Sequence, residues 1–239
     1  MLVIVQARTN SKRFKRKVLV NIYGFSIIEH IINRLKKSKK IKKIVVATSK
    51  QETDNKLATL LSRKKIQIFR GDLNNVAQRL CRAAIKHKAK YFIRVSGDSP
   101  LIDRKIVEKA IQLFKKEVLK PDILTNIFPR SFPKGQSVEI IKTKILKNNL
   151  KKFSRFDKEH VTTFFYKHSN RFVIKNFELK PNLFSSSNNF SFSFESNNDR
   201  GGKIFLKQLS ESDKKECIPE IKLYLSNAAL TLQSFSLYF

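Results

Sequence analysis

The chain has few of the residues that mark cross-linked, metal-clustering or membrane-spanning proteins. Its 239 residues include only two cysteines, Cys81 and Cys217. They lie far apart, so they indicate neither a disulfide framework nor a zinc cluster. No apolar run approaches the roughly 20 residues of a transmembrane helix, and the amino-terminal segment has a strand pattern rather than that of a signal peptide. We therefore expect a cytoplasmic protein with no membrane partner.

Acidic residues are also scarce. The chain has 19 Asp and Glu against 50 Lys and Arg, which gives a formal net charge of +31. Such a balance is typical of proteins that bind nucleic acid or an anionic surface. However, the lysines are spread over nearly the whole chain without a recognised nucleic-acid motif, and lysine-favouring codon usage would produce the same composition. We expect no specific nucleic-acid partner and keep a basic nucleic-acid-binding protein as an alternative.

Short Val- and Ile-rich segments alternate with amphipathic segments through the first half of the chain. The strand-like segments are LVIVQ, IVVAT, IQIF and YFIRV, and helix-like segments begin at Ile27, Glu52, Leu73 and Asp103. Strands separated by helices of about a dozen residues are typical of βαβ units and a parallel sheet covered on both faces. We predict an α/β fold with a Rossmann-like, doubly wound, mostly parallel sheet.

The pattern changes after about Pro121, where turn residues precede extended segments. Asp157 is predicted to cap a helix over KEHVTTFFYKHS, and FVIKNF and FSFSF are predicted strands. We predict one domain over 1–210 with a smaller subregion at 121–177, followed by a helical tail at 211–239. The predicted helix presents Val161, Phe164, Phe165 and Tyr166, a face that we expect to bury in a homodimer.

The first strand opens into a loop with an unusual density of positive charge. A loop at the carboxyl end of a parallel strand lies where open α/β sheets bind their ligands, and phosphate oxygens pair well with guanidinium and ammonium groups. The pattern therefore predicts a triphosphate site, although an ordinary basic patch would have the same composition. The cations of the loop are Arg8, Lys12, Arg13, Lys15, Arg16 and Lys17.

A second candidate site follows the strand YFIRV, in the segment SGDSPLID. Asp98 stands at the strand terminus after Gly97, where a carboxylate would face the same crevice as the cationic loop. A carboxylate opposite a triphosphate indicates Mg²⁺, which prefers hard oxygen ligands and bridges phosphates. The same residues also suit a turn, with Asp103 as a helix N-cap.

These segments together resemble the cytidylyltransferases that make CMP-activated sugar acids, including the CMP-KDO and CMP-sialate synthetases. The likeness is greatest to the branch of the spore coat polysaccharide biosynthesis protein F. The matching residues and segments are Ala7, Arg8, Ser11, Arg13, Lys17, IIEHIINRL, IVVATS, FRGD with Val76 and Arg79, RVSGDSPLID, Thr125 and Asn126, FPKGQSVEI, and EHVT at 159–162.

The resemblance implies a nucleotide-diphospho-sugar transferase fold and the transfer of CMP from CTP to a sugar acid, with release of pyrophosphate, for surface polysaccharide. It also implies a homodimer, with Arg8, Lys17 and Asp98 as catalytic residues. The implied nucleotide-binding residues are Ala7, Arg8, Ser11, Arg13, Lys17, Arg79, Ser96 and Gly97. The implied sugar-side residues are Asn126, Gln136, Glu139 and His160, and the implied Mg²⁺ ligands are Asp98 and Glu195.

Two segments depart from the family pattern. Phe14, Lys15 and Arg16 replace Leu-Pro-Gly before Lys17, so the loop lacks a preset proline turn and a small residue. Lys134-Gly135-Gln136 replaces Asp-Gly-Leu, where the lysine suits either an acidic sugar or a solvated loop. Because of these departures, the alternative to an active cytidylyltransferase is a catalytically impaired homologue that binds a nucleotide or a partner. For His160 and Glu139, a structural or charge-balancing role is the alternative to sugar contact.

Overall fold

The computed structural model describes residues 1–10 and 16–178, together with the backbone of three later strands. The strands are β1 (Leu2–Gln6), β2 (Asn21–Ile22), β3 (Phe25–Ser26), β4 (Lys43–Ser49), β5 (Gln67–Gly71), β6 (Tyr91–Ser96), β7 (Ile123–Thr125), β8 (Glu139–Lys142), β9 (Ile174–Asn176), β10 (Phe192–Ser196), β11 (Gly202–Leu206) and β12 (Leu237–Tyr238). The helices are α1 (Ile27–Lys36), α2 (Asn55–Arg63), α3 (Val76–Lys86), α4 (Arg104–Lys116), α5 (Thr143–Asn149), α6 (Arg155–His160) and α7 (Thr163–Lys167).

Seven strands form the central sheet, in the order β5-β4-β1-β6-β8-β7-β9. All of its neighbouring pairs are parallel except the two that involve β8. The chain runs from β1 outward to β4 and β5, and then crosses to β6 on the other side of β1. This confirms the predicted mostly parallel α/β sheet and creates a topological switch point between β1 and β6, where such sheets bind ligands.

Alternate residues of the central strands pack into two apolar layers, one on each face of the sheet. Val3 and Val5 belong to the layer with α1, α2 and α4, whereas Ile4 belongs to the layer with α3, α5, α6 and α7. The apolar residues of α1 recur three and four positions apart, which places them on the buried face of that helix. These fully buried residues are Ile27, Ile28, Ile31, Ile32 and Leu35.

The helix predicted after Asp157 is interrupted. Its cap is Ser154, whose hydroxyl accepts from the Asp157 amide while the Asp157 carboxylate accepts from the Ser154 amide. The helix then stops at Val161, which has φ 65° and ψ −59°. The amide of Thr162 donates to the carbonyl of His160 at 2.8 Å, so a tight turn separates α6 from α7.

The aromatic face expected at a dimer interface is buried within the chain itself. Val161, Phe164 and Phe165 are 0%, 5% and 0% exposed, and the two phenylalanines pack against Phe153. This face therefore gives no reason for dimerisation, and the prediction of a homodimer rests on the resemblance alone. Of the predicted helical tail at 211–239, the structure describes Leu237–Tyr238, which form a strand. No helix among the described residues is long and apolar enough to cross a bilayer.

Candidate active site

The ends of β1 and β6 bring the two predicted site segments into contact. Gln6 lies opposite Ser96 in the parallel register, and the Gly97 amide donates to the Gln6 carbonyl at 2.7 Å. A Cβ atom at Gly97 would lie 2.6 Å from that carbonyl and 2.8 Å from the Ala7 Cβ. Glycine is therefore required here, because a side chain would force the two loops apart.

Lys17 and Asp98 meet across this junction, as the sequence predicts. The Lys17 Nζ lies 4.0 Å from the Asp98 Oδ2, and the Ser96 hydroxyl donates to the Asp98 Oδ1 at 2.6 Å. The Asp98 side chain is 56% exposed, whereas that of Lys17 is 20% exposed. The carboxylate thus keeps free access to solvent while one ammonium group is held beside it. This arrangement can neutralise a phosphate and present carboxylate oxygens to a cation.

Asp54, which the sequence analysis did not identify, holds the loop after β1, which we call the first loop. Its carboxylate accepts from the Thr9 amide and hydroxyl at 2.7 Å each, and from the Thr48 hydroxyl at 2.9 Å. It also accepts from the amide and hydroxyl of Ser49. Burial acts to raise the pKa of Asp54, but the hydrogen bonds outweigh burial and lower it. The donors Thr9, Thr48 and Ser49 lie near the ends of β1 and β4, and such a group of buried hydroxyls in the sequence could have indicated a shared acceptor.

The first loop is closed at its neck. The Arg16 amide donates to the Thr9 carbonyl at 2.7 Å, and Arg16 has φ 60°, in the left-handed region. The predicted nucleotide ligands Ser11 and Arg13 lie between these two residues, outside the described part of the chain. Arg16 stands where the family pattern has the glycine of Leu-Pro-Gly. Glycine adopts a positive φ without strain, so the backbone conformation at Arg16 explains why the pattern has a glycine there.

Arg8 links the first loop to the end of α6. Its Nη2 lies 2.5 Å from the Glu159 Oε1, and both side chains are partly exposed. The next residue, His160, is exposed and contacts Phe156, with ring centroids 4.1 Å apart and the ring planes tilted by 41°. The segment EHVT, residues 159–162, thus borders the cationic loop. A β-branched residue with positive φ, as at Val161, is strained, and such strain is typical of functional segments.

A buried polar network lies next to the segment EHVT, on the face of the sheet that α6 and α7 cover. The Arg94 guanidinium donates to Gln6 at 2.9 Å, to Glu139 at 2.6 Å and to Thr162 at 3.2 Å. The Tyr166 hydroxyl donates to the other Glu139 oxygen at 2.6 Å. Burial raises the pKa of Tyr166, and the nearby Glu139 carboxylate raises it further. The network connects the end of β1 to α7.

Glu139, predicted to meet sugar hydroxyls, is 2% exposed and has both carboxylate oxygens engaged by Arg94 and Tyr166. The structure therefore places it under the site as a support rather than at its surface. Arg94 was missed, although an arginine inside the apolar strand YFIRV signals a buried partner.

The predicted sugar-side amides are also buried. Asn126 bonds the Gln136 carbonyl at 2.8 Å and the Val138 amide at 2.9 Å. The Gln136 amide bonds Leu101 and Asp103 at 2.7 and 2.9 Å. These contacts fasten the loop at 126–138 to the loop after β6, so the described geometry supports a positioning role for both amides and not direct contact with a sugar.

Arg79, predicted to bind the nucleotide, is 1% exposed. Its Nη1 donates to the carbonyls of Asp72 at 2.6 Å and Leu73 at 3.3 Å, while its Nε has no partner among the described residues. Burial lowers the pKa of Arg79 to about 10, and the charge of Arg8 acts in the same direction. Arg79 thus holds the loop after β5 against α3, close to the first loop. Glu195 lies in β10, whose side chains are outside the described part of the chain.

The chain is similar to known proteins over most of its length. The family model described as Cytidylyltransferase matches residues 2–218. An uncharacterized protein of Methanocaldococcus jannaschii is 32% identical over 179 residues, which cover 74% of this chain and 71% of that protein. A cytidylyltransferase structure from Leptospira borgpetersenii has a TM-score of 0.76 at 23% identity, covering 95% of this chain and 97% of that one.

Two named relatives match shorter stretches. The spore coat polysaccharide biosynthesis protein SpsF of Bacillus subtilis is 30% identical over 116 residues, covering 47% of this chain and 48% of that protein. The 3-deoxy-manno-octulosonate cytidylyltransferase of Chlorobaculum parvum is 28% identical over 130 residues, covering 54% and 51%. The chain thus spans about half the length of these two relatives. From the match of the family model over nearly the whole chain, we conclude that the chain belongs to the cytidylyltransferase family.

Proposed function

We propose that the protein transfers CMP from CTP to a sugar acid, giving a CMP-sugar and pyrophosphate for the synthesis of a surface polysaccharide. The observation that carries the proposal is the pairing of Lys17 with Asp98 at the switch point between β1 and β6. A cationic loop and a solvent-accessible carboxylate there are what a triphosphate and its counter-ion require. Family membership supports nucleotidyl transfer, and the names of the two shorter-matching relatives support a sugar substrate.

In the proposed reaction, the anomeric oxygen of the sugar forms a bond to the α-phosphorus of CTP. The bond between that phosphorus and the oxygen bridging to the β-phosphorus breaks, pyrophosphate leaves, and the hydroxyl proton passes to solvent. Arg8 and Lys17 would neutralise the phosphate oxygens and hold the chain of phosphates in line with the attacking hydroxyl. Positioning and charge neutralisation supply most of the rate enhancement in phosphoryl transfers.

The residues at the junction suit Mg²⁺ carried by a triphosphate. Mg²⁺ keeps several waters and binds one or two carboxylates together with substrate phosphates, so it does not need a cage of protein ligands. Asp98 offers an accessible carboxylate of this kind, beside Lys17. We propose Asp98 as a ligand and keep Glu195 as a predicted second one. Bound Mg²⁺ would add positive charge at the phosphates.

The charges of the loop at 126–138 support the proposal that the sugar is acidic. It contains two cations, Arg130 and Lys134, and no acidic residue. Burial lowers the pKa of Arg130, whereas the neighbouring Glu139 and Tyr166 act to raise it, so its charge belongs to the polar network under the site. Lys134 is exposed and is free to meet a substrate carboxylate. The charge of Lys134 suits a sugar that bears a carboxylate better than a neutral one.

Pyrophosphate release from a panel of nucleoside triphosphates and sugars tests the proposal. With Mg²⁺, we expect release from CTP together with a sugar acid, and little from ATP, GTP or UTP or from neutral sugars. Calorimetric binding of CTP without turnover on any sugar acid would favour the impaired homologue. If no nucleotide bound at all, the nucleotidyltransferase proposal would be overturned.

We also propose a homodimer, on the basis of the family resemblance. Light scattering at moderate salt should give about twice the chain mass of 27.8 kDa. A monomer with full activity would contradict this proposal and leave the proposed reaction intact.

A further inference from the structure

The edge of the central sheet opposite the candidate site is formed by the loops that enter the parallel strands. These loops lead into β4, β5, β6 and β7, and their amino-terminal ends share one edge because the strands run the same way. Backbone hydrogen bonds connect neighbours along this edge: Lys42 donates to Met1, Lys142 to Asp122 and Thr143 to Lys90. The four loops are residues 37–42, 64–66, 87–90 and 117–122. We call this surface the amino edge.

The amino edge is strongly cationic. Its two acids, Glu117 and Asp122, are each paired with a lysine, Lys175 and Lys142. Its four loops contain nine lysines, all exposed except the half-buried Lys40. They are Lys37, Lys39, Lys40, Lys42, Lys64, Lys65, Lys88, Lys90 and Lys120.

Three loops at the other edge of the sheet have the opposite balance. The loops that follow β4, β5 and β6 are residues 50–54, 72–75 and 97–103, and they contain one lysine, Lys50. They contain five acids, Glu52, Asp54, Asp72, Asp98 and Asp103. Other cations of that edge lie in the loop after β1 and in the loop at 126–138, beside the candidate site. The proposed reaction gives the lysines of the amino edge no such partner, so they indicate a second surface that meets an anion.

The positive charges of separate elements act on one another. The pKa of the Met1 amino group is lowered, first by burial and then by the charges of Lys42 and Lys115. The pKa of His87 is likewise lowered by burial and then by Lys43 and Lys86. Lysines of α3, α4, β4 and the loop before β4 thus contribute to one field at this edge.

Apolar side chains project from the same edge. Val118 and Leu119 are 95% and 84% exposed and stand between Lys116 and Lys120. Val173, 57% exposed, lies beside them, because its carbonyl accepts from the Asp122 amide. Two adjacent aliphatic side chains in water, with lysines on both sides of them in the sequence, are typical of a surface that enters a lipid interface.

The same composition is a poor fit to nucleic acid. The four loops contain no Phe, Tyr or Trp on which a base could stack, and no arginine. Single-stranded nucleic acid is usually bound by stacking on aromatic rings, and base edges are most often read by arginine. Lysine with exposed aliphatic residues matches the polybasic and apolar signals that together hold proteins on anionic membranes.

We propose that the amino edge binds the surface of an anionic lipid bilayer, with its lysines at the phosphodiester headgroups and Val118 and Leu119 in the interface. This departs from our expectation of no membrane partner, which considered spanning segments alone. The orientation leaves the candidate site, at the opposite edge, facing water and open to nucleotides. The proposal does not depend on the proposed reaction, because it rests on a different surface.

Vesicle co-sedimentation of the full chain tests the proposal at physiological salt. We expect binding to vesicles of phosphatidylcholine mixed with phosphatidylglycerol, none to phosphatidylcholine alone, and release as salt rises. Equal binding to both vesicle types, or binding to neither, would overturn the proposal.

A matched pair of charge reversals locates the binding surface. Lys39→Glu with Lys42→Glu should weaken binding to the anionic vesicles at least about twentyfold, at roughly fivefold per lysine near the surface. Lys50→Glu with Lys56→Glu makes the same charge change on exposed residues away from the amino edge, and should change binding by less than about threefold. Equal losses in the two variants would show a response to net charge alone and would overturn the proposal.

The apolar contribution separates a bilayer from other polyanions. Val118→Ser with Leu119→Ser keeps the charge, and it should spare the fold because both side chains are exposed. We expect about tenfold weaker vesicle binding with unchanged thermal unfolding. If this variant bound vesicles like the parent chain, and duplex DNA displaced both from them, the edge would be a general polyanion surface and the proposal would fail.

Discussion

At the carboxyl edge of the central sheet, the loops after β4, β5 and β6 carry five acids and one lysine, whereas the four loops of the amino edge carry nine lysines and two acids. The strands between them are the same. Further cations of the carboxyl edge lie in the loop after β1, beside the candidate site, and in the loop at 126–138. The sheet thus has two cationic regions, one next to the exposed carboxylate of Asp98 and one at the amino edge, where both acids of the four loops are paired with lysines.

Two carboxylates at the carboxyl edge show a second difference. Asp54 is fully buried and accepts five hydrogen bonds, so its oxygens are committed to holding the first loop. Asp98 is 56% exposed and accepts one from Ser96, so its oxygens remain accessible. Burial and hydrogen bonding thus commit Asp54 to holding the loop after β1, whereas Asp98 keeps the access to solvent that its proposed role requires. Mutations at these two positions should separate the two properties.

The largest effect is expected for Asp98→Asn. The substitution preserves size and removes the charge beside Lys17, so kcat/KM for CTP should fall by about 10³-fold or more with unchanged thermal unfolding. Asp103→Asn is the matched control on the same loop, because asparagine caps a helix as well as aspartate does, and its activity should stay within a few-fold. Full activity of Asp98→Asn would remove Asp98 from the reaction.

Asp54→Ala should destabilise the fold by about 3 kcal/mol, because it leaves four donors without their acceptor, while the Thr9 hydroxyl keeps the Thr53 carbonyl. In the parent chain the folded-state pKa of Asp54 is lowered. Its contribution to stability is therefore present above the unfolded-state pKa of about 3.9 and is lost as pH falls through the lower folded-state value. Urea unfolding from pH 7 down to pH 3 should show a smaller acid-induced loss in Asp54→Ala. Identical slopes would contradict the assigned role.

Glu159→Gln should lower KM for the nucleotide by at most about fivefold. The Arg8 Nη2 lies 2.5 Å from the Glu159 Oε1, so a phosphate that binds Arg8 has to compete with this carboxylate. The effect is modest because partly exposed pairs are worth about 1 kcal/mol or less. Glu52→Gln removes an exposed acid from another loop of the same edge and should leave KM unchanged. Equal shifts in both variants would show a long-range charge effect.

Arg16→Gly has the smallest expected effect, a gain in unfolding free energy of at most about 1 kcal/mol. Glycine relieves the left-handed strain at φ 60°, although it also increases the entropy of the unfolded chain. Lys37→Gly is the matched control because Lys37 has φ −68°, and it should lose about 0.5 kcal/mol. Chemical denaturation compares the two variants, and a loss in Arg16→Gly as large as the control's would contradict the strain argument.

The sheet and the meeting of the two site loops could be predicted because they depend on local patterns. The apolar spacing of Ile27, Ile31 and Leu35 predicts a buried helix face, and the strand ends before Arg8 and Asp98 predict a shared crevice. These features follow from residues a few positions apart and from the rule that parallel strands end at one edge.

The buried polar contacts that hold the site loops could not be predicted, because the residues that form them are distant from one another in the sequence. Asp54 meets Thr9 across 45 residues, and Glu139 meets Arg94 across the same span. The break at Val161 carries no glycine or proline to signal it. It follows from the burial of Val161 and the bond from Arg94 to Thr162, which are tertiary constraints that override local helix preference.

The fate of the α-phosphorus of CTP is the sharpest test of nucleotidyl transfer. CTP labelled at the α- or at the γ-phosphorus should be incubated with Mg²⁺ and a panel of sugar acids, and the products separated. We expect the α-label in a CMP-sugar and the γ-label only in pyrophosphate. Transfer of the γ-label to a sugar, or CTP that remains intact with every sugar acid, would contradict nucleotidyl transfer.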